Sequence, residues 1–148
     1  MKTLFAALLV VCTALLPGLA LAQNAADAPA PVADDQKPAV EAAQAWLARI
    51  DAGRYGESWR EASASFQKAI SETDWTRALT GARQPLGACA SRSLRQAKSA
   101  AELPGAPDGQ YVVMEFDAAF ANKQKASELV TFMRDPDGAW RAAGYFIR

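Results

Sequence analysis

The sequence predicts an α+β domain in which three helices pack on a four-stranded antiparallel meander. Two observations indicate this fold class. Between residues 40 and 86, apolar residues recur every three or four positions, which is typical of helices with one buried face. From residue 88 onward, apolar and polar residues alternate in segments separated by turn signals, which is typical of strands. Because the helices precede the strands instead of alternating with them, an α+β arrangement is favoured over a parallel sheet.

The first two helices are predicted from apolar stripes on either side of a short break. The first stripe consists of Val40, Ala43, Leu47 and Ile50. Gly53 follows it, and glycine readily adopts the left-handed conformation that ends a helix. The second stripe has the same spacing and consists of Tyr55, Trp59, Ala62 and Phe66. We expect a helical hairpin, because each apolar stripe must be buried against a neighbour.

A third helix is predicted to begin at Ser71, whose hydroxyl can accept a hydrogen bond from an unpaired backbone N–H of the first turn. Its buried stripe consists of Trp75, Leu79, Ala82 and Leu86. Pro85 and Gly87 are expected to end the helix. Arg77 and Arg83 lie away from the stripe, so we expect both side chains to be exposed to solvent.

The first predicted strand begins near residue 88 and is rather polar. Its alternation places Arg92 and Leu94 on one face. Residues 103–109 are rich in proline and glycine, so they form a connection and not a regular element.

The clearest strand is Tyr111–Phe116. Its inner face, toward the helices, is predicted to carry Val112, Met114 and Phe116. Residues 126–134 and 139–148 form two more predicted strands. Between them, Asp135-Pro136-Asp137-Gly138 is a strong hairpin turn signal. These strands complete the meander.

Residues 1–22 are predicted to be a secretory signal peptide. Lys2 gives a positive start, an apolar stretch of about 13 residues follows, and the small residues around Ala22 suit cleavage before Gln23. A membrane span needs about 20 apolar residues, so an uncleaved anchor is disfavoured. A lipid anchor on Cys12 is the other alternative, but this cysteine comes too early. We therefore expect a periplasmic or secreted protein with no stable membrane span after processing.

The mature chain is expected to contain one domain. Residues 23–37 are rich in Ala, Pro and Asp with few large apolar side chains, which is typical of a disordered tether. Residues 38–148 then form a single α+β domain, since a chain of this length has one hydrophobic core.

The composition excludes several classes of function. The chain has 16 basic and 16 acidic side chains without a basic cluster, so nucleic acid is not an expected partner. It has no histidine, which removes Ser-His and Cys-His nucleophile activation and imidazole metal ligation. Cys89 alone remains after signal cleavage, and we expect it to be a buried apolar side chain and not a reactive thiol. No cofactor or metal site is predicted.

Three aromatic residues are candidate binding residues: Trp46, Trp140 and Tyr145. Pockets for apolar or aromatic molecules are rich in aromatic rings. Trp46 lies at the margin of the first stripe and Trp140 lies in a strand, whereas Trp59 and Trp75 are expected to pack in the core. Tyr145 shares a strand face with Arg141, and this pair can hold an anion or form ordinary sheet surface.

Glu115 is the fourth candidate, and it shares a strand face with Asp117. Paired carboxylates can perform acid–base chemistry if one is buried and its pKa is raised. A solvated outer strand face explains the two acids equally well. An enzyme of this kind therefore requires a raised carboxyl pKa and a closed cavity.

Several motifs resemble domain of unknown function 4019, which is found in short exported bacterial proteins. The motifs are Ala45-Trp46-Leu47, Asp51-Ala52-Gly53-Arg54-Tyr55, Leu103-Pro104-Gly105-Ala106-Pro107-Asp108-Gly109, Asp137-Gly138-Ala139-Trp140-Arg141 and Gly144-Tyr145-Phe146-Ile147-Arg148. The order of elements also looks like the nuclear transport factor 2 or cystatin-like architecture, a curved sheet that closes as a cone over a long helix. This resemblance implies a cone-like sheet but no particular function, since the group includes isomerases, dehydratases and noncatalytic binding or dimerising modules.

The sequence thus favours a noncatalytic periplasmic module that binds a ligand or another protein. Its expected partner is an apolar small molecule in the mouth of the cone, or a second copy on the open sheet face. The alternative is a small isomerase- or dehydratase-like enzyme that uses a buried carboxylate with Tyr145 or an arginine.

Overall fold

The computed structural model describes residues 30–148 and confirms the α+β class. The helices come first: α1 (Lys37–Asp51), α2 (Tyr55–Arg60), α3 (Ala64–Ala69) and α4 (Glu72–Arg83). A short 3-10 helix (Gln84–Leu86) leads into strands β1 (Cys89–Ala100), β2 (Tyr111–Phe120), β3 (Lys123–Arg134) and β4 (Trp140–Ile147). The predicted signal peptide and its cleavage site between Ala22 and Gln23 lie outside the described residues.

The predicted second helix is in fact two short helices, α2 and α3. The chain breaks at Ser63, which is extended (ψ 155°) and whose Oγ accepts a hydrogen bond from the N–H of Phe66 at 3.2 Å. The N–H of Ser63 itself donates to the carbonyl of Ala142 in β4 at 2.9 Å. Four helices therefore replace the three that were expected, because Ser63 caps a new helix and bonds to the sheet.

Other helix and turn boundaries were predicted correctly from glycine and serine residues in the sequence. Gly53 follows α1 with φ of 73°, and Ser71 Oγ accepts a hydrogen bond from the N–H of Asp74 at 3.1 Å at the start of α4. Gly138 has φ of 84° in the turn between β3 and β4. Each of these residues acts on backbone groups within four positions, so the sequence alone predicts them.

The four strands form one antiparallel sheet in the order β1-β2-β3-β4, as expected for a meander. In the register of β2 and β3, Val112 lies opposite Phe132 and Met114 opposite Val130. The predicted inner face of β2 is confirmed, since Val112, Met114 and Phe116 are all buried in the core. The cone-like closure of the sheet stays a prediction.

Aromatic side chains fill the space between the helices and the sheet. The ring of Trp46 lies 5.9 Å from the ring of Trp75, 6.0 Å from that of Phe132 and 5.9 Å from that of Tyr145, measured between centroids. The core position expected for Trp75 is confirmed, and Trp59 packs partly buried against the same cluster. Any site for a ligand must therefore lie at the edge of this core.

The last residues of the segment predicted as a tether run beside β1. The N–H of Ala30 donates to the carbonyl of Arg95 at 3.1 Å, and the side-chain amide of Gln36 donates to Ser99 Oγ at 3.1 Å. Val32 packs against the core. These contacts place the start of α1 next to the end of β1.

Candidate binding cleft

A cleft of about 690 Å³ opens at the end of the domain where α1 begins and β3 turns into β4. Its volume lies within the range of about 300–1,000 Å³ that small-molecule sites occupy. Its walls come from the start of α1, the end of β1, the loop before β2 and the β3–β4 hairpin. The side chains that line the cleft include Asp35, Pro38, Ser99, Gln110, Tyr111, Val112, Arg134 and Trp140.

The β3–β4 turn fixes the position of Trp140. Arg141 pairs with Asp135 at 2.9 Å and with Asp137 at 2.7 Å, and the N–H of Asp135 donates to the carbonyl of Ala139 at 2.9 Å. The hydrogen bonds from Arg141 lower the pKa of Asp137 to about 2, so this clamp is charged across the neutral range. Trp140 is therefore held at the first position of β4 by a rigid turn.

Trp140 differs from the other three tryptophans in its indole N–H. The N–H of Trp46 donates to the carbonyl of Ser58 at 2.7 Å, that of Trp59 to the carbonyl of Ile70 at 2.8 Å, and that of Trp75 to Ser58 Oγ at 3.0 Å. Trp140 is partly exposed, and no acceptor within residues 30–148 bonds to its N–H. This N–H can therefore bond to water or to another acceptor that reaches the cleft.

Tyr111 forms a fixed wall of the cleft. Its hydroxyl donates to the carbonyl of Pro107 at 2.5 Å, and the N–H of Gly109 donates to the carbonyl of Ala101 at 3.0 Å. The loop between β1 and β2 is thereby closed over the ring, which leaves Tyr111 buried although alternation places it on the outer face of β2. The cleft wall on this side is preformed.

Arg134 brings a positive charge to the cleft. Its Nε donates to the carbonyl of Gly138 and its Nη1 donates to Gln110 Oε1, both at 3.3 Å. Both acceptors are neutral, and among the described residues no carboxylate lies within ion-pairing distance of its exposed guanidinium. The charge of Arg134 is therefore oriented but not neutralised.

At the other end of the domain lies an ionic cluster formed by Asp51, Arg83, Arg92, Glu128 and Tyr145. Glu128 is fully buried and accepts hydrogen bonds from Arg83 Nη1 at 3.0 Å, Arg92 Nε at 2.5 Å and the Tyr145 hydroxyl at 2.6 Å. Asp51 pairs with both arginines. Only 4% of the Arg83 side chain is exposed, so the prediction of a solvated Arg83 was wrong, whereas Arg77 is exposed as expected.

Each charge in the ionic cluster is held by its neighbours. Burial alone would raise the pKa of Asp51, but hydrogen bonds and charge from Arg92 and Arg83 outweigh it and lower that pKa. Burial, and then the charge of Glu128, raise the pKa of Tyr145. Asp51 is therefore ionised and Tyr145 protonated at neutral pH. The arrangement stabilises the fold, because its groups are satisfied by one another.

Glu115 and Asp117 lie on the outer face of the sheet. Glu115 accepts hydrogen bonds from Gln96 at 2.9 Å and from Ser127 at 3.0 Å, and the bond from Gln96 is the main cause that lowers its pKa. Asp117 is exposed and pairs with Arg95. The pKa of Glu115 is lowered and not raised, and Asp117 lies in an ion pair on an open face, so acid–base chemistry has no support here.

The four candidate binding residues do not form one site, although the rings of Trp46 and Tyr145 lie 5.9 Å apart in the core. Trp140 lines the cleft, Trp46 lies in the aromatic core, Tyr145 joins the ionic cluster and Glu115 lies on the outer face. Arg134 also lines the cleft but was not predicted from the sequence as a site residue. Its position directly before the hairpin turn, opposite Trp140 in the register, was the available signal.

Comparisons with known proteins identify the family but no activity. Within residues 30–148, no helix is long and apolar enough to cross a membrane, and no group of three or more metal-binding side chains is placed to hold an ion. No curated protein and no solved structure matches the chain. Residues 42–145, which include Arg134 and Trp140, match the family described as protein of unknown function (DUF4019). Because this match covers more than half of the sequence, the chain belongs to the DUF4019 family.

Proposed function

We propose that this protein is an exported, noncatalytic module that binds a small molecule with an apolar or aromatic body in the cleft beside Trp140. One observation carries the proposal. Trp140 lines a preformed cleft of about 690 Å³ with an indole N–H that no described residue satisfies, while the other three tryptophans are bonded inside the fold. Ligand sites combine apolar walls with a few oriented polar groups, and this cleft has both.

The outer sheet face supports a second copy less well. Phe146 is 70% exposed there, but it is the only large apolar side chain so exposed among residues 30–148. Its surroundings on the sheet include Glu115 and Arg148, which form an ion pair at 3.6 Å. A single exposed apolar residue is ordinary on a protein surface.

The enzyme alternative requires a carboxylate that can exchange a proton with a substrate. Glu128 is the buried carboxylate, and it lies beside Tyr145 and Arg83 as that alternative supposed. Two arginines and a phenol already occupy its oxygens, so it has no polar position left for a substrate. Binding without catalysis is therefore the function that the geometry favours.

Export predicts a defined mature terminus. Protein recovered from the periplasm or the medium of a bacterial host is expected to begin at Gln23, because cleavage follows Ala22. N-terminal sequencing or intact mass measurement checks this. An intact Met1, or a lipid attached to Cys12, would contradict the proposed soluble exported form.

Binding in the cleft predicts a local response at Trp140. In the ¹⁵N-labelled protein, a probe with an aromatic body, such as naphthalene carboxylate or its amide, is expected to shift the indole resonance of Trp140 more than those of the three core tryptophans. Trp140→Phe identifies that resonance by its loss. Trp140→Ala is expected to weaken binding by about tenfold or more, since it removes both the stacking surface and the N–H.

The matched control is Phe146→Ala, which removes an exposed aromatic ring outside the cleft and should leave the affinity unchanged. Native mass spectrometry of the purified protein gives an independent readout, because a natural ligand would copurify as an added mass. The proposal would be wrong if no probe in a panel of apolar and aromatic molecules shifts the Trp140 resonance and if no added mass copurifies with the protein.

A further inference from the structure

We infer that the ligand of the cleft is a monocarboxylate with an apolar body, and that its carboxylate binds the guanidinium of Arg134. This inference rests on the proposed function and names the chemical class of the ligand. It comes from the hydrogen-bonding capacity that the cleft wall leaves unused and from the charge at its edge.

The unused polar groups of the cleft are mainly donors. Gln110 Oε1 accepts the bond from Arg134, which assigns the two N–H groups of its amide as free donors. Ser99 Oγ accepts from Gln36, so its own O–H is free to donate. The indole N–H of Trp140 and the Nη2 group of Arg134 are further donors of the cleft. All of these donors can bond to an acceptor on a ligand. A carboxylate offers acceptors only.

Arg134 is the cation that the fold leaves available in this cleft. Arg83 and Arg92 form ion pairs with Asp51 and Glu128, and Arg141 forms its ion pairs within the hairpin turn. Arg134 has only neutral partners, at 3.3 Å. This guanidinium is oriented by weak hydrogen bonds and lacks a counter-ion. Because a guanidinium is planar and has several N–H groups, it can donate two parallel hydrogen bonds to a carboxylate.

The rest of the wall limits the ligand to one negative charge and an apolar body. Pro38 and the ring of Trp140 supply apolar surface to the cleft. Among residues 30–148, Asp35 is the only acid that lines the cleft, and it is exposed. Its charge would repel a second carboxylate on the ligand, so dicarboxylates are disfavoured.

Matched pairs of probes test the inference on the unmodified protein. Naphthalene carboxylate is compared with naphthalene carboxamide, and decanoate with decanamide, by calorimetric titration and by the indole resonance of Trp140. In at least one pair the carboxylate is expected to bind about tenfold or more tightly than its amide, because only the carboxylate forms an ion pair with the guanidinium.

Two variants of Arg134 test whether this residue causes the preference for a carboxylate over its amide. Arg134→Gln is expected to abolish the advantage of each carboxylate over its amide, and Arg134→Lys to retain part of it, since the charge remains without the fork. Asp35→Asn, the matched control on the acidic side of the cleft, is expected to leave the preference in place or to increase it. Melting temperatures verify that each variant is folded.

The outcomes separate the two proposals. If the amides shift the Trp140 resonance and bind as tightly as the carboxylates, the ligand class is wrong and the cleft remains a binding site. If the carboxylate advantage survives in Arg134→Gln, the assignment to Arg134 is wrong. If no probe binds and no ligand copurifies, both the ligand class and the proposed function are overturned.

Discussion

Replacing Glu128 with glutamine is expected to lower the free energy of unfolding by about 3–5 kcal/mol, the usual cost of removing one partner from a buried ion pair. The substitution keeps the shape of the side chain but leaves Arg83 and Arg92 with one counter-charge, Asp51, in place of two. Arg83 cannot move into water easily, because its guanidinium also lies 4.6 Å from the centre of the Phe120 ring. Urea denaturation measures the loss.

The control is Arg77→Met, which removes one arginine from an exposed pair with Asp74. Exposed pairs of this kind contribute about 0–1 kcal/mol, so little change is expected. Equal stability losses for Glu128→Gln and Arg77→Met would show that the ionic cluster does not hold the fold together.

The same cluster predicts how stability depends on pH. Folding lowers the pKa of Asp51, so its ionised form stabilises the protein above its ordinary pKa, and this contribution is lost as the pH falls through the lowered value. Folding raises the pKa of Tyr145, so its contribution to stability is present below its ordinary pKa and is lost as the pH rises through the raised value.

The variant Glu128→Gln is expected to lower the pKa of Tyr145, since the charge of Glu128 is one cause that raises it. Tyrosinate absorbance, measured as the pH is raised, should therefore develop at lower pH in the variant than in the unmodified protein.

Trp75→Ala is expected to lower the free energy of unfolding by about 3–5 kcal/mol, as large-to-small changes at buried aromatic sites do. The ring of Trp75 packs 4.9 Å from Phe66 and 6.2 Å from Tyr145 between centroids, and its N–H bonds to buried Ser58 Oγ. Its loss would leave a cavity between the helices and the sheet. Denaturant unfolding followed by circular dichroism measures the change.

Trp140→Ala is the matched control for this substitution, because it makes the same chemical change at a partly exposed site. Its cost is expected to be well below that of Trp75→Ala, since the ring already borders open space. If Trp75→Ala is unfolded before denaturant is added, the milder Trp75→Phe is expected to show an intermediate loss. A stability loss for Trp140→Ala as large as that for Trp75→Ala would contradict the separation of a packed core from a binding cleft.

Much of the fold could be predicted from the sequence because its signals are local. Gly53 ends α1 and Ser71 begins α4 through groups within a few positions of each other. The alternation of Val112, Met114 and Phe116 identified the buried face of β2 without knowledge of its neighbours. Ser63 shows where this reasoning stops, since its N–H bonds to Ala142 in a strand that the local spacing of residues 55–66 cannot reveal.

The candidate site could be predicted only in part for the same reason. Trp140 was predicted from the sequence as a candidate binding residue, but the sequence did not show which tryptophan has an indole N–H without an acceptor in the described part of the fold. Arg83 and Arg134 are the same residue type at element ends, yet one is buried against Glu128, 45 positions away, and the other lines a cleft.

The sequence by itself determined the order of helices and strands, the faces that they bury and the turns that join them, because these depend on the periodicity and backbone preferences of adjacent residues. Only the tertiary structure decided which polar groups are satisfied. Hydrogen-bond and ion-pair partners come from distant parts of the chain, so the fold pairs Arg83, Glu128 and Tyr145 with one another. Among the described residues, none neutralises Arg134 or accepts a hydrogen bond from the indole of Trp140.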